Sequence, residues 1–304
     1  MKKIIVILSI LGIVFILFMF IVSDYLFNFA LNPKKDKSLI FTQSEKIKKN
    51  YDFFDNFEEK EEIFINNSEN LKLKGYIFEH KDKKTDKWVI AVHGFSSSPR
   101  RLSEVVSNIY NMGYNILTPV LQAHEGSEGK YYTMGGKDSS DLVIWCNTII
   151  KEKKAKKIVL YGESMGAATV MLSLSKGLPD EVVAFIEDCG YYSLEQMYKY
   201  ELKNLFKLPS FPLIQFQDIY MKFKTGVGVY EIDATKGLKN TKLPAFLIHG
   251  TKDKFVPYEN VNVIYDMIQS EKEILTPEAD HAGSYKAIPK EYFQKIEKFL
   301  NKYL

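Results

Sequence analysis

Gly162-Glu163-Ser164-Met165-Gly166 is a G-x-S-x-G pentapeptide. It follows the apolar run Lys157-Ile158-Val159-Leu160-Tyr161 and opens an Ala-rich segment. In a strand–turn–helix context this spacing presents a serine hydroxyl on a sharp, strained bend. Side chains two residues to either side would strike the neighbouring strand or helix, and Gly162 and Gly166 carry none. The start of the following helix adds positive potential and free N–H groups where negative charge would develop. The chemistry this suits is acyl transfer. The alternative is a tight turn with an incidental serine.

A serine hydroxyl is a weak nucleophile without a base. Of the five histidines, His80 reads as surface. His93 and His249 each end an apolar run before glycine and read as buried structural residues. His281, in Asp280-His281-Ala282-Gly283-Ser284, follows the last short strand and is the expected base. The orienting acid belongs between serine and histidine in this chain order. Asp253, past the apolar run 245–248, fills that place, with Asp188 or Glu187 as rivals. An oxyanion hole needs two converging N–H donors. Met165, next after the serine, supplies one; Phe95, after Gly94 in His93-Gly94-Phe95, supplies the other.

Strand and helix patterns alternate from residue 88 to the end, which predicts an α/β fold with a mostly parallel, doubly wound sheet. Strands are expected at 63–65, 71–78, 88–92, 114–119, 157–161, 182–186, 245–248 and 273–275, and helices at 101–112, 138–152, 167–175, 261–269 and 291–304. In such sheets chemistry sits at the carboxyl ends of the strands, where every candidate above falls. Residues 191–230 are too long for an ordinary connection. They hold ten aromatics, a richer share than the chain's 14%. A helical cap over about 191–235, lining an apolar pocket, is expected.

Ile4 to Val22 is nineteen residues without a charge, behind Lys2 and Lys3. As a helix it is about 28 Å long, enough to cross a bilayer. No small-residue cleavage pattern follows at Val22-Ser23-Asp24, so an uncleaved transmembrane anchor over 1–23 is expected rather than a signal peptide. Lys2 and Lys3 lie nearer the membrane than Lys34, Lys35 and Lys37, which tilts the orientation toward the body outside. Residues 24–60 read as a polar, Lys-rich connecting segment with room for a helix and no chemistry of its own, and 61–304 as the hydrolytic domain.

The composition narrows the partners. With 46% hydrophobic and 26% charged residues the chain is not disordered as a whole. Setting aside Lys2 and Lys3 leaves 39 basic against 38 acidic residues, and only Arg100 and Arg101 are arginine. No nucleic-acid partner is expected of so neutral a body. Two cysteines, Cys146 and Cys189, make neither a disulfide framework nor a four-cysteine metal site, and both read as buried, inert thiols. No metal is expected, and no feature sets an oligomeric state.

His93-Gly94-Phe95, the Ser164 pentapeptide, Gly250 to Asp253 and Asp280-His281 together resemble the α/β-hydrolase superfamily over roughly residues 60–304. The resemblance is nearest to bacterial membrane-associated, or cell-surface, hydrolases related to serine aminopeptidases and monoacylglycerol lipases. It implies a Ser164–Asp253–His281 triad, Phe95 and Met165 as oxyanion donors, no cofactor, and a cap between the sixth and seventh strands. One loop departs from the pattern: relatives carry P-D-x-R-G-H-G-x-S-x-G, where this chain reads Pro119-Val120-Leu121-Gln122-Ala123-His124-Glu125-Gly126-Ser127-Glu128-Gly129.

The expected activity is hydrolysis of a small-molecule ester or lipid-like substrate with an apolar acyl or aryl group. A serine peptidase on the same residues is the alternative; it would need Glu195, Glu201 or Asp218 in the cap to hold a peptide amine. A catalytically silent hydrolase fold serving as a binding protein is the third reading.

Overall fold

The computed structural model describes residues 1–37, 51–81 and 85–304. Helix α1 (Lys2–Leu31) and the short α2 (Asp52–Asn56) precede the sheet. Strands β1 (Glu61–Asn66) and β2 (Lys72–Phe78) form an antiparallel pair. Their turn is built by Asn67, whose side-chain oxygen accepts from the Glu69 and Leu71 N–H groups. The alternation begins with β3 (Lys87–Val92), a 3₁₀ turn (Pro99–Leu102), α3 (Ser103–Asn111), β4 (Asn115–Pro119) and α4 (Asp138–Lys153). It continues with β5 (Lys157–Glu163), α5 (Met165–Ser173) and β6 (Val182–Asp188). Three helices follow, α6 (Leu194–Asn204), α7 (Leu213–Thr225) and α8 (Thr235–Asn240). The chain closes with β7 (Ala245–Ile248), α9 (Glu259–Met267), β8 (Lys272–Leu275), α10 (Ser284–Ala287) and α11 (Pro289–Tyr303).

The eight strands lie in the order β1-β2-β4-β3-β5-β6-β7-β8, and β3 to β8 are parallel. From β3 the chain goes first to one neighbour, β4, and then to the other, β5. The crevice at that reversal is where open α/β sheets place their sites. Side chains alternate across the sheet, as a period of two requires. Ile90, Val92, Ile158 and Leu160 face α4 and α5, with Trp145 and Ile149 among their neighbours. Val89, Ala91, Val159 and Tyr161 face α3 and α11, meeting Val106, Ile109, Tyr292 and Phe299. Strands covered on both faces read as continuous apolar runs, which is why the central ones were legible in sequence.

The structure departs from the sequence expectations at several boundaries. β5 and β6 each run two residues further, because the ladder continues through Gly162 opposite Glu187 and Glu163 opposite Asp188. α5 begins at Met165, directly after the serine. The first helix does not end near residue 23 but at Leu31. Its Met19, Ser23, Phe27 and Leu31, four residues apart, form one buried stripe. The connecting segment expected from residue 24 therefore starts with eight residues of packed helix; residues 38–50 lie outside the described part. α6 to α8 form an insertion whose ends are tied together: Leu194 N–H donates to Ile232 O at 3.0 Å, and Ala234 N–H to Tyr192 O at 2.8 Å.

Candidate active site

Ser164 sits between β5 and α5 with φ +58° and ψ −118°, a backbone shape that L-residues rarely adopt. The bend is held by Ser164 N–H donating to Asp188 O at 2.8 Å and by Ala168 N–H donating to Ser164 O at 3.0 Å. Its tightness explains the flanking glycines. A Cβ on Gly162 would lie 2.4 Å from Gly166 O, and one on Gly166 would lie 2.1 Å from Val92 O. No side chain fits either place.

His281 lies in the loop between β8 and α10. Its Nε2 is 2.8 Å from Ser164 Oγ, and its Nδ1 is 2.7 Å from Asp253 Oδ2. The other carboxylate oxygen of Asp253 accepts the N–H groups of Phe255 and Val256, both at 2.9 Å. Burial works to raise the Asp253 pKa, but His281 and His249 outweigh it and hold the carboxyl at about 2. A buried carboxylate fixed by two amides and facing an imidazole locks the ring with Nδ1–H toward the acid and Nε2 toward the hydroxyl. The rivals face elsewhere. Asp188 Oδ2 accepts the Tyr292 hydroxyl at 2.7 Å, and Glu187 Oε2 accepts Gly190 N–H at 2.8 Å. Burial raises both, to about 7 and about 8 respectively.

The loop after β3 lies directly on the serine: a Cβ at Gly94 would be 3.3 Å from Ser164 Cβ. His93 braces this loop. Its Nε2 accepts Leu121 N–H at 3.1 Å, so Nδ1–H donates to Gly94 O at 2.9 Å. Burial pulls its pKa down to about 4, which keeps the ring neutral and this tautomer in place. His124, in the loop that departs from the common pattern, packs its ring on Tyr132 at 4.2 Å and on His93 at 4.8 Å. Phe95 follows Gly94, and Met165 is the first residue of α5, where N–H groups have no partner within the helix.

Two residues that the sequence read as buried and structural, Cys189 and His249, turn out to border these groups. Cys189, at φ +51°, is buried, with its sulfur and the ligand atoms of Asp253 and His281 all within 4.8 Å of one another. Burial, reinforced by the surrounding carboxylates, pushes the thiol well above its usual pKa, so it stays protonated. A metal on these three would have to displace a His281 bond of the relay, to Asp253 or to Ser164. His249 places Nε2 2.9 Å from Val256 O and 3.3 Å from Asp253 Oδ2, bracing the acid from behind. Their burial was legible in the sequence; their place beside the relay was not, since it depends on where two distant loops meet.

Above Ser164 opens an apolar pocket. Phe95, Met134, Met165, Tyr191 and Phe255 form its floor; α6 contributes Leu194, Met197, Tyr198 and Leu202, and α7 contributes Leu213, Ile214 and Gln217. Leu26, Phe29 and Ala30 of α1, in the segment read from sequence as a connection, complete the wall. Helical packing brings together segments nearly two hundred residues apart, which no local pattern announces. Glu201 is the acidic residue among the lining side chains; burial raises it to about 7, against the pull of His281.

A family profile described as serine aminopeptidase, S33, matches residues 83–215. The Pyrococcus furiosus esterase Pf2001 is 27% identical, with a TM-score of 0.67, over 82% of this chain and 95% of that one. Est1E from Butyrivibrio proteoclasticus, solved with ferulic acid bound, shares the fold at 18% identity and a TM-score of 0.64, over 79% and 98% of the two chains. Among curated proteins, the uncharacterized YqkD of Bacillus subtilis (strain 168) is 25% identical over 279 residues, 89% of this chain and 88% of its own. The chain has the α/β-hydrolase fold. The profile match covers β3, the Ser164 turn and the first half of the α6–α8 insertion.

Proposed function

We propose that the chain is a membrane-anchored serine hydrolase that cleaves carboxylic esters or thioesters of apolar acyl or aryl groups through an acyl-enzyme. The observation that carries this reading is the continuous relay Ser164 Oγ–His281–Asp253 on the floor of an apolar pocket. Ser164 Oγ attacks the carbonyl carbon while His281 Nε2 takes its proton. Asp253, charged at any neutral pH, stabilises the imidazolium. The Phe95 and Met165 N–H groups receive the developing oxyanion. The leaving alcohol or thiol departs with the proton from Nε2, and water repeats the sequence to release the acid. Likeness to an esterase over most of both chains supports the reaction class.

The apolar part of α1 supports the anchor. Residues 4–18 are all exposed, and nearly all are large apolar side chains, an arrangement water penalises and a bilayer rewards. Lys2 and Lys3 at the near end favour a body on the outer side. Short-chain p-nitrophenyl esters test the chemistry. Wild type should turn over and be labelled by a fluorophosphonate at Ser164, while Ser164→Ala should fall by about 10⁴-fold or more. Equal rates in the two proteins would end this reading.

A second reading, aminopeptidase activity, rests on Glu201. Glu195 pairs with Lys199 at 2.7 Å and Asp218 accepts Tyr230 N–H at 3.0 Å, so of the three candidate acids Glu201 is the one that lines the pocket. A free substrate amine would pair with it there. If this is its use, Glu201→Gln raises KM for aminoacyl p-nitroanilides about tenfold or more with little change in kcat. No turnover of these amides by wild type rejects the second reading.

A further inference from the structure

We propose, resting on the ester-hydrolase reading, that α1 is a working wall of the acyl site, and that the pocket takes lipid esters directly from the leaflet that holds the helix. The argument begins with the direction of α7. Its Phe216 packs on Phe15 and Phe20, with ring centroids 6.4 and 5.6 Å apart. Its Tyr220 packs on Phe27 at 5.4 Å and donates to Asp24. The two helices therefore run side by side in the same direction, Tyr220 level with the first acid after the apolar run. At about 1.5 Å per residue, Phe216 stands roughly 6 Å and Leu213 roughly 10 Å beyond that level, toward the apolar end of α1. If Ile4 to Val22 cross a bilayer, the start of α7 enters it as well.

The surface chemistry agrees. The chain climbs along α1 from Phe206, which packs on Phe29 at 5.4 Å, to Leu213. On the way it exposes Leu208 and Phe211, the latter at 73%. Further along α7, Ile219 and Phe223 stand four residues apart at 56% and 82% exposure. Apolar side chains this exposed, continuous with a helix that itself needs a bilayer, call for lipid as the covering partner. Lys203, Lys207 and Lys224 are exposed on the same helices and the connection, where their stems let the ammonium groups reach phosphates.

The pocket opens onto this surface. Leu205 lines it and is also 43% exposed, so apolar lining continues from the mouth to Ser164. An acyl chain entering beside Leu205 would run along Leu26, Phe29 and Ala30 without crossing water. That path favours substrates already dissolved in the membrane over soluble esters of the same acid.

The test uses the full chain in phosphatidylcholine vesicles carrying 1-monooleoylglycerol as a minor component, with soluble p-nitrophenyl butyrate in parallel and fluorophosphonate labelling of each sample. In the triple variant Phe211→Ser, Ile219→Ser, Phe223→Ser, the ratio of vesicle-lipid to soluble-ester turnover should fall about tenfold or more. Ala30→Trp should lower the ratio of long-chain to short-chain turnover by a similar factor. Phe211→Trp should be quenched by lipids brominated in mid-chain, since the native Trp88 and Trp145 are buried. Labelled variants with unchanged ratios, or an unquenched Trp at 211, overturn lipid entry and leave the hydrolase reading standing. Wild type that is neither labelled nor active overturns both.

Discussion

At the scale of single residues, the site depends on one carboxylate held charged while burial raises its neighbours Asp188 and Glu187 to about 7 and about 8. Asp253 is depressed to about 2, so its stabilising effect is complete above its ordinary pKa near 3.8 and is lost as pH falls through about 2. Asp253→Asn would keep the shape but favour the wrong imidazole tautomer, so kcat for a short ester should drop by about 10⁴-fold, and the urea midpoint at neutral pH should fall as well because the charge's stabilising effect is lost. Asp188 works in the opposite direction. Raised to about 7, it holds a proton in the folded state that the unfolded chain releases above about 4. Its effect favours folding most at low pH and declines as pH rises from about 4 to about 7. Urea titrations across that window should show a shallower decline for Asp188→Asn than for wild type. The sequence could nominate Asp253 and Asp188 from strand ends alone. It could not choose by physics, because the choice lies in the Phe255 and Val256 amides on one side and the Tyr292 hydroxyl on the other.

At the scale of elements, β5 and α5 converge so tightly that Gly166 touches the backbone of β3. Gly166→Ala should cost about 3 kcal/mol or more, because the obstacle is a carbonyl oxygen rather than a movable side chain. A lowered urea midpoint, with the remaining folded protein poorly labelled by fluorophosphonate, checks this. The β-strands and most flanking helices were legible because each has its own period and its own stop, as with Gly113 after α3. The boundaries at Glu163, Asp188 and Leu31 were not. Each is set by a partner elsewhere: a ladder opposite, or helix α7 packed along the first helix. The same cause hid Leu26, Phe29 and Ala30 from any reading of the pocket.

At the scale of the whole molecule, the apolar helix and the hydrolase body share a core. Phe27 and Leu31 are fully buried, whereas residues 4–18 touch little. A chain beginning at Asp24 keeps Phe27 and Leu31 and should therefore fold, while one beginning at Asn32 should lose several kcal/mol of packing, a sizeable part of a domain's stability. Thermal unfolding of the two truncations measures the difference; equal midpoints would show that the stripe adds nothing. Carbonate extraction should leave the complete chain in the membrane fraction and release the shorter ones. The stripe at Met19, Ser23, Phe27 and Leu31 also limits what an engineer or a genome may exchange. Graft a foreign spanning segment ahead of Met19 and the enzyme should tolerate the splice. Move the junction past Leu31 and the chimera arrives with one side of its binding chamber missing, however well it is tethered.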